Sequence, residues 1–286
     1  MGHLRLGAYI LPGDSTWLAK SVAAYYPLLD DLVVPVPVNA VGWTGRKIPV
    51  ESVLAMLRVL DHRGILRVVN GEWIDVDQPM RADTAQRQAA LDALVGRVDW
   101  VLQIDNDELL PDHVALRRAI EEAESEGLSA VEWPMRVLFR RTRRWVYEVV
   151  STDGRPRYDY PGPIAVRPDV TLVDARRAEG AFLRPVVLGD DRSLQLRRTP
   201  ESGERRWIEL LPEEAIVHNS WARSSRDIWQ KTRSWGHANG VRTTLYFALR
   251  WFPTPILWRF ARDLHPFAHD LWPRLARRAP TAELRD

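Results

Sequence analysis

Three acidic residues, Asp105, Asp107 and Glu108, follow directly on the apolar segment VDWVLQI at 98–104. Asp105 and Asp107 are two positions apart, so in extended backbone their side chains point to the same side. Two carboxylates on one side are suitable ligands for a hard divalent cation, and oxygen ligands favour Mg²⁺ or Mn²⁺. Such an ion neutralises a diphosphate and makes it a better leaving group. The alternative is a solvated turn before the next helix.

The elements that must position these acids follow an alternating order. Strand patterns at 4–11, 31–38, 65–70 and 98–105 are separated by helix patterns at 14–26, 49–64 and 83–96. A β-α-β-α-β-α-β order predicts an α/β domain with a mostly parallel central sheet flanked by helices. Ligands bind beyond the carboxyl ends of the strands in such sheets, which is where the acids lie. The prolines at 35 and 37 predict that the second strand ends in a loop or lies near an edge.

The remaining half of the chain has a different pattern. Strand-like stretches at 128–141 and 144–150 predict a hairpin, and 161–174 predicts a further strand. Residues 190–206 are polar and rich in arginine, which predicts a loop or an insertion. A short strand at 213–218 ends at His218 and precedes a helix pattern at 224–238.

Two segments resemble the family-2-like glycosyltransferases, enzymes with the GT-A fold. One is QRQAALDALVGRVDWVLQIDNDELL at 86–110, which is similar to their helix, strand and D-x-D-E motif. The other is VHNSWARSSRDIWQKT at 217–232, which is similar to their closing histidine and amphipathic helix. The resemblance extends over about residues 4–236. It implies an enzyme that moves a sugar from a nucleotide-sugar donor, a UDP- or GDP-sugar, to a hydroxyl of a saccharide or lipid-linked acceptor.

The same resemblance implies roles for individual residues around Mn²⁺ or Mg²⁺. Asp105 would bind the donor ribose or a metal-bound water, and Asp107 would bind the metal directly. His218 would be the third protein ligand of the metal, although a histidine at a strand end is also a common structural residue. Gln86 and Arg87 would lie near the donor, since a guanidinium suits the oxygens of a diphosphate.

The donor base is expected near the first strand–helix turn and the end of the second strand, with Pro12 and Asn39 as candidates. The sequence PGDS at 12–15 replaces the N-E pair common in the resembling enzymes, so the preferred nucleotide stays open. An inverting transfer, which the resemblance also implies, needs a general base for the acceptor hydroxyl. Asp190 and Asp191 are the candidates for that base, with Glu179 as a further choice.

Composition limits the remaining classes of protein. The chain has no cysteine, which excludes disulfides and thiolate metal sites. Its start lacks the pattern of a signal peptide, which leads us to expect a cytoplasmic protein.

Two alternatives to a glycosyltransferase stay open. A sugar-phosphate nucleotidyltransferase would share the sheet and the acids but needs a basic phosphate loop after the first strand. A nucleic-acid-binding module would leave the acids unexplained, so we expect no nucleic acid as partner.

The last 46 positions, 241–286, mix arginines with tryptophan, phenylalanine and leucine at helical spacings. We expect a catalytic domain at 1–240 followed by a C-terminal amphipathic helical extension. Segments of this composition can lie in a membrane interface, here through Trp251, Trp258 and Trp272 at the inner face of the membrane. The alternative is a pair of helices packed on the catalytic domain.

Overall fold

A computed structural model describes residues 4–234, 240–266 and 268–281 of the chain. The strands in chain order are β1 Leu6–Tyr9, β2 Leu29–Pro37, β3 Leu66–Gly71, β4 Trp100–Leu102, β5 Glu108–Leu109, β6 Ala130–Glu132, β7 Met135–Arg141, β8 Val146–Val150, β9 Pro163–Val166, β10 Leu172–Asp174, β11 Arg177–Ala178, β12 Phe182–Val187, β13 Glu204–Leu210, β14 Ile216–His218 and β15 Arg274–Arg278. The α-helices are α1 Leu18–Tyr25, α2 Val50–Leu60, α3 Pro79–Asp92, α4 His113–Ser125, α5 Ser225–Ser234, α6 Gly240–Tyr246 and α7 Thr254–Leu257. Short 3₁₀ helices span Tyr26–Leu28, Val38–Ala40 and Pro212–Glu214, and a π-helical turn spans Phe247–Trp251.

Eight strands form the sheet of the first compact unit, which contains the described residues up to Trp133 together with Tyr160–Leu188 and Pro200–Ile216. Their order is β13-β12-β6-β9-β4-β1-β2-β3. Strand β9 pairs antiparallel with β4 and β6, and the other neighbouring strands pair in parallel. This arrangement confirms the predicted fold class, an α/β fold with a mostly parallel central sheet flanked by helices.

The first four strands have the predicted order, and their register explains the prolines of β2. Strand β1 is paired with β2 as far as Tyr9 opposite Val33, whereas β2 continues beside β3 to Pro37 opposite Gly71. Pro35 and Pro37 therefore lie beyond the end of β1, where β2 has a neighbour on one side. A residue without an N–H is tolerated there because fewer ladder hydrogen bonds are lost.

Helix α3 is shifted towards the N-terminus relative to its predicted range of 83–96. Pro79 occupies the first turn, where its missing N–H costs nothing, and the chain leaves the helix before Gly96, whose φ is +73°. The helix places Ala90 and Leu91 in a buried apolar cluster with Tyr9 of β1 and Val101 of β4. This packing fixes the polar face of α3 relative to the ends of β1 and β4.

The second compact unit contains Pro134–Asp159, Gly189–Thr199 and the described residues from Val217 onwards. The predicted hairpin is present as the antiparallel pair β7 and β8, and β15 pairs antiparallel with the other side of β8. Their core is aromatic and includes Trp221, Trp251 and Trp272. The loop predicted at 190–206 contains no strand before β13 begins at Glu204.

The C-terminal segment differs from the expected helical extension. It contains α6, the π-helical turn and α7, but it also contains the strand β15 and shares a compact unit with the β7–β8 hairpin. The division of the chain into these units therefore does not coincide with the predicted boundary at residue 240. Trp251 and Trp272 are buried and Trp258 packs beside them, so these tryptophans are core residues and not the interfacial anchors expected from the sequence.

Candidate active site

The loop that follows β4 begins with a buried glutamine. The Gln103 amide donates to the backbone carbonyls of Pro163 at 2.7 Å and Arg176 at 2.8 Å, and its carbonyl accepts from the Tyr9 hydroxyl at 2.8 Å. All the side-chain hydrogen-bonding groups of Gln103 are thus used within the protein. This arrangement connects the ends of β1, β4 and β9 and fixes the direction in which the acidic loop leaves the sheet.

The loop from Asp105 to Glu108 is a closed turn held by a buried ion pair. The Glu108 N–H donates to the Asp105 carbonyl at 2.9 Å, and the Glu108 carboxylate accepts from the Asp105 N–H at 3.0 Å. Arg176, which lies between β10 and β11, donates to both oxygens of that carboxylate at 2.9 and 2.7 Å. Burial opposes the charge of Arg176, but the carboxylates of Glu108 and Asp105 outweigh it and raise the pKa of the guanidinium. Glu108 therefore holds the loop in shape through these hydrogen bonds.

A second buried arginine holds the first acid of the pair. Arg87 donates to Asp83 at 2.7 Å and to Asp105 at 3.1 Å, and its third contact is the Tyr9 hydroxyl at 3.3 Å. Burial raises the pKa of Asp83, and burial also raises the pKa of Tyr9 to about 12, in part against the effect of Arg87. Arg87 thus fixes Asp105 in one orientation, and its predicted contact with a donor diphosphate stays a prediction.

Asn106 connects the acidic loop with the loop after β1. Its amide donates to the carbonyls of Leu11 at 2.9 Å and Asp14 at 2.6 Å. Pro12, predicted to contact the donor base, is buried within the same loop. Asp14 accepts hydrogen bonds from the backbone N–H and the hydroxyl of Thr16, and α1 begins at Leu18 and not at position 14 as predicted. The two loops that would hold a nucleotide are therefore fixed to each other by one side chain.

Asp107, predicted to bind the metal directly, is buried, with 8% of its surface exposed. Asp105 is the most accessible carboxylate of the group, with 34% of its side chain exposed. Among the described residues, no three His, Asp or Glu side chains are grouped closely enough to hold a metal by themselves. Mg²⁺ commonly binds to one or two carboxylates and takes its other ligands from water and substrate phosphates. Asp105 and Asp107 fit an ion held in that way.

The charges of the site favour a cation. Three carboxylates, those of Asp83, Asp105 and Glu108, pair with the guanidiniums of Arg87 and Arg176. Asp107 adds a fourth carboxylate to the same loop. A diphosphate would be repelled by the surplus of acid unless a cation accompanied it, since like charges at short range are unfavourable in a partly buried site.

The other two residues predicted to bind the donor have different surroundings. Gln86 donates to the Pro35 carbonyl at 2.7 Å and accepts from the Trp43 indole at 2.6 Å, so both ends of its amide are engaged within the protein. It therefore positions α3 against the end of β2. Asn39 is exposed in the turn after β2, with a φ of +60°, a conformation that asparagine tolerates better than most residues.

Three of the predicted residues lie in the second unit. His218 is the last residue of β14 and is half-buried. The carboxylate of Asp190 accepts from the N–H groups of Arg192 at 3.0 Å and Ser193 at 3.1 Å, and from the Ser193 hydroxyl. Burial raises the pKa of Asp190, and these bonds give its carboxylate a structural role in the turn. Asp191 is exposed and pairs with Arg192 at 3.1 Å.

Sequence reasoning did not identify Arg176, Asn106, Gln103, Tyr9 or Asp83 as part of this site. Arg176 is far from the acids along the chain, and nothing in its neighbourhood separates it from the other arginines. Asn106 had a local signal, because it stands between the two acids in the D-N-D sequence. The pair of Asp83 and Arg87 also had a local signal in the sequence, because an acid and an arginine four positions apart in a helix can form an ion pair.

Comparison with known proteins identifies no family. No protein-family profile matches the sequence, and neither does any curated protein. Among solved structures, the fold is similar to the 4-diphosphocytidyl-2C-methyl-D-erythritol synthase of Anaerococcus prevotii, with 13% sequence identity and a TM-score of 0.35. That match covers 58% of this chain and 71% of the synthase. A similarity at this level carries no argument about substrates.

Proposed function

We propose that the protein is a metal-dependent glycosyltransferase that takes a nucleotide-sugar as donor. The observation that carries the proposal is the acidic loop at the carboxyl end of β4, fixed by Arg176 and Arg87 and joined by Asn106 to the loop after β1. The carboxyl ends of adjacent parallel strands are the usual binding place for nucleotides in open α/β sheets. The resemblance of 86–110 to family-2-like glycosyltransferases supports the same role for these acids.

In this proposal Asp107 and Asp105 hold Mn²⁺ or Mg²⁺ together with the donor diphosphate. The ion supplies charge that stabilises the departing nucleoside diphosphate. The acceptor hydroxyl attacks the anomeric carbon, the bond from that carbon to the diphosphate oxygen breaks, and the hydroxyl proton passes to a carboxylate base. Asp190 and Asp191 are the proposed candidates for this base.

A sugar-phosphate nucleotidyltransferase would use the same strand ends but would bind a nucleoside triphosphate. Such an enzyme needs positive charge or a glycine-rich turn after the first strand to hold three phosphates. Residues 10–19 of this chain, ILPGDSTWLA, contain one glycine, one aspartate and neither lysine nor arginine. This local composition favours the glycosyltransferase over the nucleotidyltransferase.

Calorimetry with UDP, GDP, UDP- and GDP-sugars and nucleoside triphosphates, with and without Mn²⁺, tests the proposal. We expect a nucleotide-sugar to bind only in the presence of the ion. The isosteric change Asp107→Asn should abolish the effect of Mn²⁺. Because Asp107 is buried, a cooperative thermal transition in the variant is needed to show that it still folds. Asp112→Asn, at the half-buried N-cap of α4, is the matched control for an acid-to-amide change in the same region. Preferred binding of a triphosphate, with pyrophosphate released in the presence of a sugar phosphate, would instead identify a nucleotidyltransferase.

The base is tested separately, because donor binding and proton removal are different steps. Asp191→Asn should leave donor affinity unchanged and lower kcat by about 10²- to 10⁴-fold if Asp191 is the base. Asp190→Asn would lower kcat in the same way but should also destabilise the turn that ends at Ser193. Full activity in both variants would exclude the pair from this role.

A further inference from the structure

A row of apolar side chains is exposed along residues 241–260 of the second unit. Its members recur every three or four positions, and each is between 52% and 82% exposed: Val241, Leu245, Leu249, Phe252, Ile256 and Phe260. Side chains with this spacing lie on one side of a helical segment. We call these six residues the apolar row. Large apolar side chains grouped in this way on a soluble surface mark a site of interaction.

The opposite side of the same segment is fixed in the core, so the apolar row cannot turn inward. Trp251 is fully buried and its indole donates to the carbonyls of Phe139 at 3.1 Å and Trp221 at 2.9 Å. Tyr246 donates its hydroxyl to the Leu264 carbonyl at 2.5 Å. The segment is thus apolar on both sides. The side with Trp251 packs in the core, whereas the apolar row is not covered by any other part of the described residues of this unit.

The polar side chains of the segment are predominantly cationic. Arg242, Arg250, Arg259 and Arg262 are exposed, and Asp263 is the one acid between residues 240 and 266. Arg250 donates to the Arg262 carbonyl at 2.8 Å and Arg262 to the Arg259 carbonyl at 2.9 Å. The acceptors of these bonds are neutral backbone carbonyls, so the bonds do not neutralise the positive charge of the two guanidiniums.

The tip of the β7–β8 hairpin adds positive charge next to this segment. Arg143 and Arg144 are exposed there. The Arg277 guanidinium lies 4.3 Å from the ring centre of Trp145 at the tip and 5.3 Å from that of Trp258, just after α7. Arg277 therefore connects the hairpin tip to the end of the segment that bears the apolar row.

We propose that the apolar row and its arginines bind the surface of an anionic lipid bilayer. Aliphatic and aromatic side chains would enter the interface between headgroups and acyl chains, while the arginines bind lipid phosphates. No helix in the described parts of the chain is long and apolar enough to cross a bilayer, so attachment would be peripheral. Four of the six members of the row are aliphatic and cannot stack on bases, which disfavours a nucleic acid on this surface.

Co-sedimentation of the full-length protein with vesicles tests this inference, with pure phosphatidylcholine compared against a mixture containing phosphatidylglycerol. We expect binding to the anionic vesicles at low salt and a loss of binding as salt increases. Replacing Ile256 and Phe260 by serine should weaken binding at least about tenfold. Replacing Arg250 and Arg259 by glutamine should weaken it about fivefold for each arginine on anionic vesicles.

Val59→Ser and Val114→Ser are the matched controls, because both valines are exposed in helices of the first unit and should leave binding unchanged. Failure of the wild-type protein to sediment with anionic vesicles at low salt overturns the proposal. So does equal loss in the control variants, tighter binding to a short DNA duplex than to vesicles, or a dimer that Ile256→Ser and Phe260→Ser convert to a monomer. Vesicle binding needs no enzymatic activity, so its outcome is independent of the proposed glycosyl transfer.

Discussion

The Arg176 guanidinium donates to both oxygens of the Glu108 carboxylate, at 2.9 and 2.7 Å, and both side chains are buried. Glu108 in turn accepts from the N–H of Asp105, so the ion pair closes the loop that carries the acidic pair. The geometry of the candidate active site thus depends on a residue between β10 and β11 that is distant along the chain.

Removal of one partner of this ion pair should be costly. Arg176→Met leaves the Glu108 carboxylate buried without its cation, and we expect the free energy of unfolding to fall by about 3–5 kcal/mol. Adding Glu108→Gln should recover part of the loss, because the amide removes the charge and keeps an oxygen for the Asp105 N–H. Urea denaturation measures both effects. Arg117→Gln, which breaks an exposed pair with Glu121 in α4, is the control and should cost at most about 0.5 kcal/mol.

Asn106 should control donor binding through the loop after β1. Asn106→Ala removes both amide hydrogen bonds, to Leu11 and Asp14, and should cost about 1–3 kcal/mol of stability. Asn106→Asp should be worse, since it places a carboxylate against two carbonyl oxygens. Calorimetry with a nucleoside diphosphate and Mn²⁺ should show weaker binding in the same order. Equal donor affinity in the wild type and both variants would show that the β1 loop takes no part in binding.

His218 is proposed as a metal ligand because it ends β14 and precedes the segment that resembles the closing part of family-2-like glycosyltransferases. His218→Ala should weaken nucleotide binding in the presence of Mn²⁺ and change metal-free binding little. His269→Ala, at a side chain that is 86% exposed, controls for histidines that bind Mn²⁺ nonspecifically. Equal losses with and without Mn²⁺ would assign His218 a structural role.

The ionisation of Asp31 should make the free energy of unfolding depend on pH in the acid range. Burial alone would raise its pKa, but hydrogen bonds from Arg67 and Arg97 outweigh it and lower the pKa below its usual value. The unfolded chain therefore binds a proton more readily than the folded one. The stabilising effect of Asp31 is present above its unfolded pKa of about 4 and is lost as pH falls through the lower folded pKa. Asp31→Asn should thus be destabilising at pH 7, with a difference from the wild type in urea midpoint that shrinks below pH 4. A constant difference across this range would contradict the assignment.

The sequence by itself determined the order of strands and helices in the first unit and the place of the acidic loop. Apolar runs of strand length and helix-period patterns are local properties, so they are readable without knowledge of the fold. The alternating order restricted the sheet to a mostly parallel one and assigned Asp105 and Asp107 to a strand end. Helix α3 begins four residues before its predicted start, and this also has a local cause, because Pro79 is suited to the first turn of a helix.

The tertiary structure decided which charges meet and which apolar residues are buried. Arg176 is one arginine among many until the fold brings it to Glu108, and Gln86 proves to be engaged by Pro35 and Trp43 instead of facing open solvent. In the C-terminal segment, Trp251 and Phe260 have similar local sequence surroundings, yet one lies in the aromatic core and the other is exposed. Periodicity predicts which residues share one face of a helical segment. Which face is buried depends on the elements that pack against the segment, and those elements come from distant parts of the chain.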